Sequence, residues 1–315
     1  MITDRVTGLN IYPLKSAHAA TVNGEIPTSL SVGETGFEVN GVRDRDFVLY
    51  DPAENIFVSQ RGWNAEQKLR HRGDKVLASV RLDIQADHIA VASKIGSLEI
   101  ANEPARSGNR MTLDIFGKGL PVVEQDVDAS RYFSTLLERD VLLVRSDRDH
   151  PRVLPEKYRR SDTFNQVAGA DGYPFLMTSE ASLDATQEHN GIAPNSVPSS
   201  SYRGNIIIAG QELGPFGEDY IGNGNRFTVG PIGMYVVKAC MRCPIPNIDQ
   251  ETGEFAKVGG LKVLRGRSGT LPGDQEKGVF FGQNLIHANT GVVSVGDPVA
   301  VESLVADPNI AFRDH

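Results

Sequence analysis

Met234-Tyr-Val-Val-Lys-Ala-Cys240-Met-Arg-Cys243-Pro-Ile-Pro246 is a β-rich apolar run that ends in both cysteines of the chain. Met234 to Ala239 predicts a strand, and the prolines after Cys243 forbid a regular helix from starting at once. Similar runs lie on either side. Tyr202-Arg-Gly-Asn-Ile-Ile-Ile-Ala-Gly210 joins a basic entry to a buried-strand pattern, and Phe227 to Val229 and Val292 to Val301 predict further strands. Tyr173-Pro-Phe-Leu-Met-Thr-Ser179 predicts a short strand ending in hydroxyls fit to start a helix.

In the first third, Val6 to Tyr12, Phe47 to Tyr50, Val76 to Leu82, His88 to Ala92 and Ser97 to Ile100 are short runs between Gly, Asp, Pro and Asn clusters. That spacing predicts antiparallel pairing in a small barrel or sandwich. A helix is predicted from Asp128, where Phe133, Leu136 and Leu137 share a face and Asp128 is placed to cap. Val141 to Arg145 predicts a strand, and the polar stretch from His150 to Ala170, with Lys157, Arg159 and Arg160, reads as a long surface loop. The expected fold class is mainly β with some α.

A chain of 315 residues has room for about two domains, and 40% hydrophobic against 23% charged residues is the balance of a folded protein. A net charge of -8 opposes binding to nucleic acid or an acidic membrane surface. No run reaches the roughly 18 apolar residues of a membrane helix, and the start, Met1-Ile-Thr-Asp-Arg-Val, has no apolar signal core. The expectation is a cytoplasmic protein. Two cysteines are too few to staple a secreted chain of this length, so their interest is chemical or accidental.

Arg242 beside Cys243 favours the thiolate, the form that binds metal or attacks. Several readings stand open. A structural zinc site needs four ligands, and the seven histidines show no spacing to complete one. A thiol–disulfide motif needs a helix after its first cysteine, where this chain has strand and proline. Burial as two small apolar residues is the plain alternative. Arg43, Arg45, Arg61, Arg203 and Arg242 weigh toward metal plus phosphate. All flank strand-like runs, where a guanidinium must pair with a carboxylate, such as Asp44, Asp46 or Asp219, or with phosphate oxygens. Lys15-Ser16 and Thr178-Ser179 close strands and present hydroxyls and amides to an anion, although a hydroxyl there is usually a helix cap. Glycine-rich nucleotide loops and hydrolase motifs are absent from the sequence.

Ile11-Tyr-Pro-Leu-Lys-Ser16, Gly41-Val-Arg-Asp-Arg-Asp-Phe47, Thr178-Ser-Glu-Ala-Ser-Leu183, Tyr202-Arg-Gly-Asn-Ile-Ile-Ile208, Phe216-Gly-Glu-Asp219, Cys240-Met-Arg-Cys243 with Asp249-Gln-Glu-Thr-Gly253, and Val295-Gly-Asp-Pro298 together, in order, resemble the MOSC-domain proteins that carry an N-terminal β-barrel. These include the mitochondrial amidoxime-reducing components and their bacterial relatives. The resemblance implies an N-terminal β-barrel-like domain, residues 1–125, packed on a MOSC β-barrel domain, residues 126–315, with a molybdenum-molybdopterin cofactor (Moco) at their junction. It implies Cys243 as metal ligand and central catalytic residue. It also implies that Lys15, Ser16, Arg45, Thr178, Ser179, Arg203, Asn205 and Arg242 bind the cofactor.

The activity implied is reduction of hydroxylamines, amidoximes or N-oxides, with electrons from a separate reductase or ferredoxin-like protein. The alternative is a carrier of cofactor or sulfur on Cys243. Relatives often have a small hydroxyl residue where this chain has Met241, which removes one donor to the cofactor.

Overall fold

The computed structural model describes residues 1–61, 72–103, 108–270, 277–307 and 311–312. Its centre is a closed barrel of seven strands. In chain order these are β1 (Ile2–Leu9), β2 (Phe175–Ser179), β3 (Ile206–Ile208), β4 (Arg226–Val229), β5 (Ile232–Met241), β6 (Lys277–His287) and β7 (Pro298–Val301). Around the barrel the order is β2, β3, β1, β7, β4, β5, β6 and back to β2. All pairs are antiparallel except β2 with β3, where Met177, Thr178 and Ser179 run beside Ile206, Ile207 and Ile208. Closure leaves no barrel edge to be capped.

β1 therefore has its partners in the far half of the sequence: Val6 lies opposite Ile208, and Ile2 opposite Val301. The rest of the N-terminal half forms smaller sheets around the barrel. One five-stranded sheet orders Arg110–Asp114, Gly119–Glu124, Leu142–Ser146, Phe47–Asp51 and Ile56–Phe57, so backbone pairing runs across residue 125. Helix α1 (Val127–Leu137) packs Phe133, Leu136 and Leu137 into a core cluster that also holds Val6, Ile206 and Leu285 from the barrel. Among the described residues no helix is long and apolar enough to cross a membrane.

Several sequence expectations shift. Arg72–Ser79 is a 3-10 helix, not a strand, and pairing begins only at Arg81. Leu77 and Ala78 are both fully buried, which the alternation of a half-exposed strand cannot do. The cap of α1 is Asp126, two residues before the expected Asp128; its Oδ1 accepts from the Asp128 and Ala129 amides at 2.6 and 3.2 Å. The stretch Val292 to Val301 is two strands, Gly291–Ser294 and β7, broken at Gly296, whose φ is +92°. The 150–170 loop carries a small pairing of Arg152–Val153 with Gln166–Val167.

Candidate active site

The starts of β2 and β3 and the ends of β1 and β5 meet at one mouth of the barrel, and a cleft opens there. It encloses about 830 Å³, counting the part open to solvent. β1 leads into the Ile11–Ser16 segment, which is stitched to the turn at 43–47. The Arg45 amide donates to the Tyr12 carbonyl at 2.7 Å, the Phe47 amide to Pro13 at 2.9 Å, and the Lys15 amide to Phe47 at 2.8 Å. Asp44 Oδ1 accepts the Tyr12 amide at 2.9 Å. Two of the quoted motifs thus hold each other in place.

Five cations line the cleft, Lys15, Arg45, Arg61, Arg203 and Arg242, against one carboxylate, Asp171. Arg45 is the internally paired one: it bonds Asp44, and its Nη1 donates to Asn205 Oδ1 at 2.9 Å. Arg203 Nη1 donates to the Ala17 carbonyl at 2.6 Å and to Gln250 Oε1 at 3.2 Å. Both guanidiniums lie against the ring of Tyr12, at 4.6 and 4.3 Å. Arg242 donates to the Tyr202 carbonyl at 2.7 Å and to Cys240 Sγ at 3.2 Å, and its Nε is buried without a partner among the described residues. Neither Arg203 nor Arg242 has a carboxylate within ion-pair distance among the described residues. Burial pushes Arg203 down to about 10, so it stays protonated at neutral pH.

Lys15 bonds Asp171 and donates to the Gly169 carbonyl at 3.0 Å. Burial pulls its ammonium down to about 8, although Asp171 works in the other direction. Burial would raise Asp171, but Lys15 and Arg61 outweigh it and hold the carboxyl at about 2. The Lys15 side chain is only 7% exposed and that of Asp171 is 51% exposed, so the pair spans the wall and mouth of the cleft.

Cys240 and Met241 end β5 in the cleft, and Cys243 follows just before the 3-10 turn Ile245–Asn247. Both thiols are free and partly exposed. Three lining residues, Ser16, Arg45 and Arg203, hold left-handed backbone at φ of 72°, 51° and 56°. Such conformations cost about 1 kcal/mol or more each in a non-glycine residue and concentrate at functional sites.

Of the residues expected at the site, Lys15, Ser16, Arg45, Arg203, Asn205, Arg242 and Cys243 line this cleft. Thr178 and Ser179 do not. β2 runs away from the mouth, so its first residues, Phe175 and Leu176, reach the cleft instead. Thr178 packs against Gly204 and Gly282, and Ser179 caps helix α2 (Glu180–His189), its Oγ accepting the Ser182 amide at 3.3 Å. Arg43 is turned inward to Asp46, with Nη2 at 2.7 Å from Oδ1. Asn205 acts as a clasp, accepting from Arg45 and from the Leu176 amide at 3.2 Å. Asp171 and Tyr173 escaped the sequence reading, because Asp171-Gly172 reads first as a turn.

The family described as MOSC domain matches residues 165–300. The chain is 26% identical to mouse mitochondrial amidoxime-reducing component 1 over 303 residues, covering 93% of this chain and 81% of that protein. The human component 1 is 30% identical over 152 residues, covering 47% of this chain and 42% of that protein. Bovine mitochondrial amidoxime reducing component 2 is 25% identical over 302 residues, covering 93% and 82%. This chain is a MOSC-domain protein. The match starts at residue 165, yet the MOSC barrel takes one of its staves, β1, from residues 2–9.

Proposed function

We propose that this MOSC-domain protein is a Moco-dependent oxidoreductase that reduces N-oxygenated compounds such as hydroxylamines, amidoximes and N-oxides, with electrons from a separate donor protein. The observation that carries the reading is one cleft in which Cys243 meets Arg203 and Arg242, two cations with no carboxylate mate among the described residues. The residues present fit the group. A thiol is a soft ligand, and the surplus of guanidinium suits a buried phosphate. Among the described residues no three His, Cys, Asp or Glu side chains cluster as a metal site, so a metal at Cys243 would take its other ligands from outside the polypeptide. When bound, the cofactor supplies redox and oxygen-transfer chemistry that no side chain has.

The polypeptide's part is to bind and orient. Arg203, Arg242 and Lys15 would hold the phosphate, and Cys243 the metal. Arg45, tied to Asp44 and Asn205, fixes the wall on which Arg203 rests, since its Nη2 donates to the Arg203 carbonyl at 3.3 Å. The rings of Tyr12 and Tyr202 exclude water from beneath the guanidiniums. Asp171 keeps a proton on Lys15 Nζ at neutral pH by opposing the effect of burial. Two free thiols suit a reducing compartment, and a cytoplasmic location belongs to the proposal.

Metal and pterin analysis of the purified chain, followed by benzamidoxime reduction with an artificial electron donor, tests the reading. Stoichiometric molybdenum, an oxidised fluorescent pterin and turnover are expected. A loaded protein without turnover would transfer the case to the carrier alternative. A chain without molybdenum or pterin after expression in a host that makes the cofactor would defeat both.

A further inference from the structure

Gln250 lies in the Asp249–Gly253 turn, where the flanking residues make ordinary turn bonds: Asp249 Oδ1 accepts the Glu251 and Thr252 amides at 2.8 and 3.2 Å. Its own side chain does something else. It turns inward, is 5% exposed, and sets Oε1 against Arg203 Nη1 at 3.2 Å. Four contacts fix which way the amide faces. Gln250 Nε2 donates to the Ile248 carbonyl at 3.0 Å and to Gln60 Oε1 at 3.2 Å. Gln60 Nε2 donates back to Gln250 Oε1 at 3.1 Å and to the Ser16 carbonyl at 2.5 Å. A flipped Gln250 amide would point N–H at both the Arg203 guanidinium and the Gln60 amide, and oxygen at the Ile248 carbonyl, so the network admits one orientation.

Several other buried arginines of this protein are met by aspartate: Arg43 by Asp46, Arg45 by Asp44, Arg267 by Asp219; Arg152, which donates to the Ala170 carbonyl, is an exception. Arg203 is met only by neutral oxygens, and its Nε and Nη2 donate to nothing among the described residues while the residue lines the cleft. A carboxylate at that distance would cancel most of its charge; an amide oxygen fixes the same nitrogen and leaves the charge in place.

We propose that Gln250, locked by Gln60, is a positioning residue that aims Arg203 at a phosphate group in the cleft without neutralising it. The inference rests on the reading of the cleft as a phosphate site. It assigns a role to a reciprocal amide pair that joins the segment at Ser16 to the turn after the cysteines.

The test is titration of the purified full chain, free of cofactor, with inorganic phosphate by calorimetry at two salt concentrations, with melting temperatures recorded alongside. Gln250→Leu removes the acceptor and is expected to weaken phosphate binding about tenfold while keeping its salt dependence. Gln250→Glu keeps the shape and an acceptor but adds charge. It is expected to weaken binding roughly a hundredfold and to flatten the salt dependence, beyond anything its melting temperature accounts for. Gln60→Met frees the amide and should fall between wild type and Gln250→Leu. If Gln250→Glu binds phosphate as well as Gln250→Leu or better, the inference is wrong even though the wild type binds. If Gln250→Glu does not fold, wild-type affinity in Gln250→Leu overturns it equally. A wild-type chain that binds no phosphate removes the anion site, and this inference with it.

Discussion

Cys243 and Cys240 sit in one cleft, three residues apart, yet only Cys240 receives a hydrogen bond from Arg242, at 3.2 Å. If Cys243 holds the metal, Cys243→Ser should leave the purified protein without molybdenum, measured by elemental analysis, while Cys240→Ser retains it. The reverse pattern would show that the wrong sulfur had been chosen. Lys15 gives a pH signature. Its ammonium is lowered to about 8, so it is charged below that value and neutral above it, and phosphate affinity of the cofactor-free chain should fall as pH rises from 7 to 9. The expected loss is roughly tenfold, and Lys15→Gln should remove the step; a wild-type curve as flat as that of the variant would exclude Lys15 from the anion site. The folding balance has the opposite sign. Because the unfolded lysine keeps its proton up to about 10.4, the native form gains relative stability between about 8 and 10.4.

β2 and α2 meet at Ser179, where a sequence motif and a helix start coincide. The structure makes that hydroxyl a cap. Ser179→Ala should lower stability by about 1 kcal/mol in denaturant titration and leave metal and pterin content unchanged; a loss of cofactor with normal stability would restore Ser179 to the site. The strand from Leu142 to Ser146 brings Arg145 to Asp46, which also binds Arg43, all three fully buried or nearly so. Burial alone would raise the Asp46 carboxyl, but the two guanidiniums outweigh it and hold it well below the usual carboxylate range. Its stabilising effect is therefore present above about pH 4 and is lost as pH falls further. Asp46→Ala strands two buried cations and should cost about 3–5 kcal/mol, read as a lower denaturant midpoint with the phosphate site otherwise intact in the folded fraction. The strands at 47, 88, 97, 175, 206, 227 and 234 were legible in the sequence because alternation and β-branching are local. Gln250 was not, since its meaning depends on Gln60, 190 positions away. Asp171 was hidden for a similar reason: its partner Lys15 lies 156 positions earlier.

The barrel ties the two ends of the described chain together. Ile2 and Thr3 pair with Val301 and Ala300, and Leu9 pairs with Ile206. A chain lacking residues 1–9 should therefore lose the whole barrel, because β3 and β7 become open edges; circular dichroism and gel filtration would register aggregation or unfolding, and a folded, soluble remainder would contradict the closed arrangement. The same long reach explains why the sequence could indicate a mainly β chain but not which strands are neighbours. It also bears on how the molecule is made. β1 is made before either of its neighbours, and neither exists until nearly two hundred residues beyond Leu9, through the Ile206–Ile208 run, have been added. The last gap in the cylinder cannot be filled before Pro298–Val301 emerges. Closing this barrel is thus slow for the size of the protein, by the entropy of so large a loop, and β1 stays without a partner strand until that distant stretch of chain arrives.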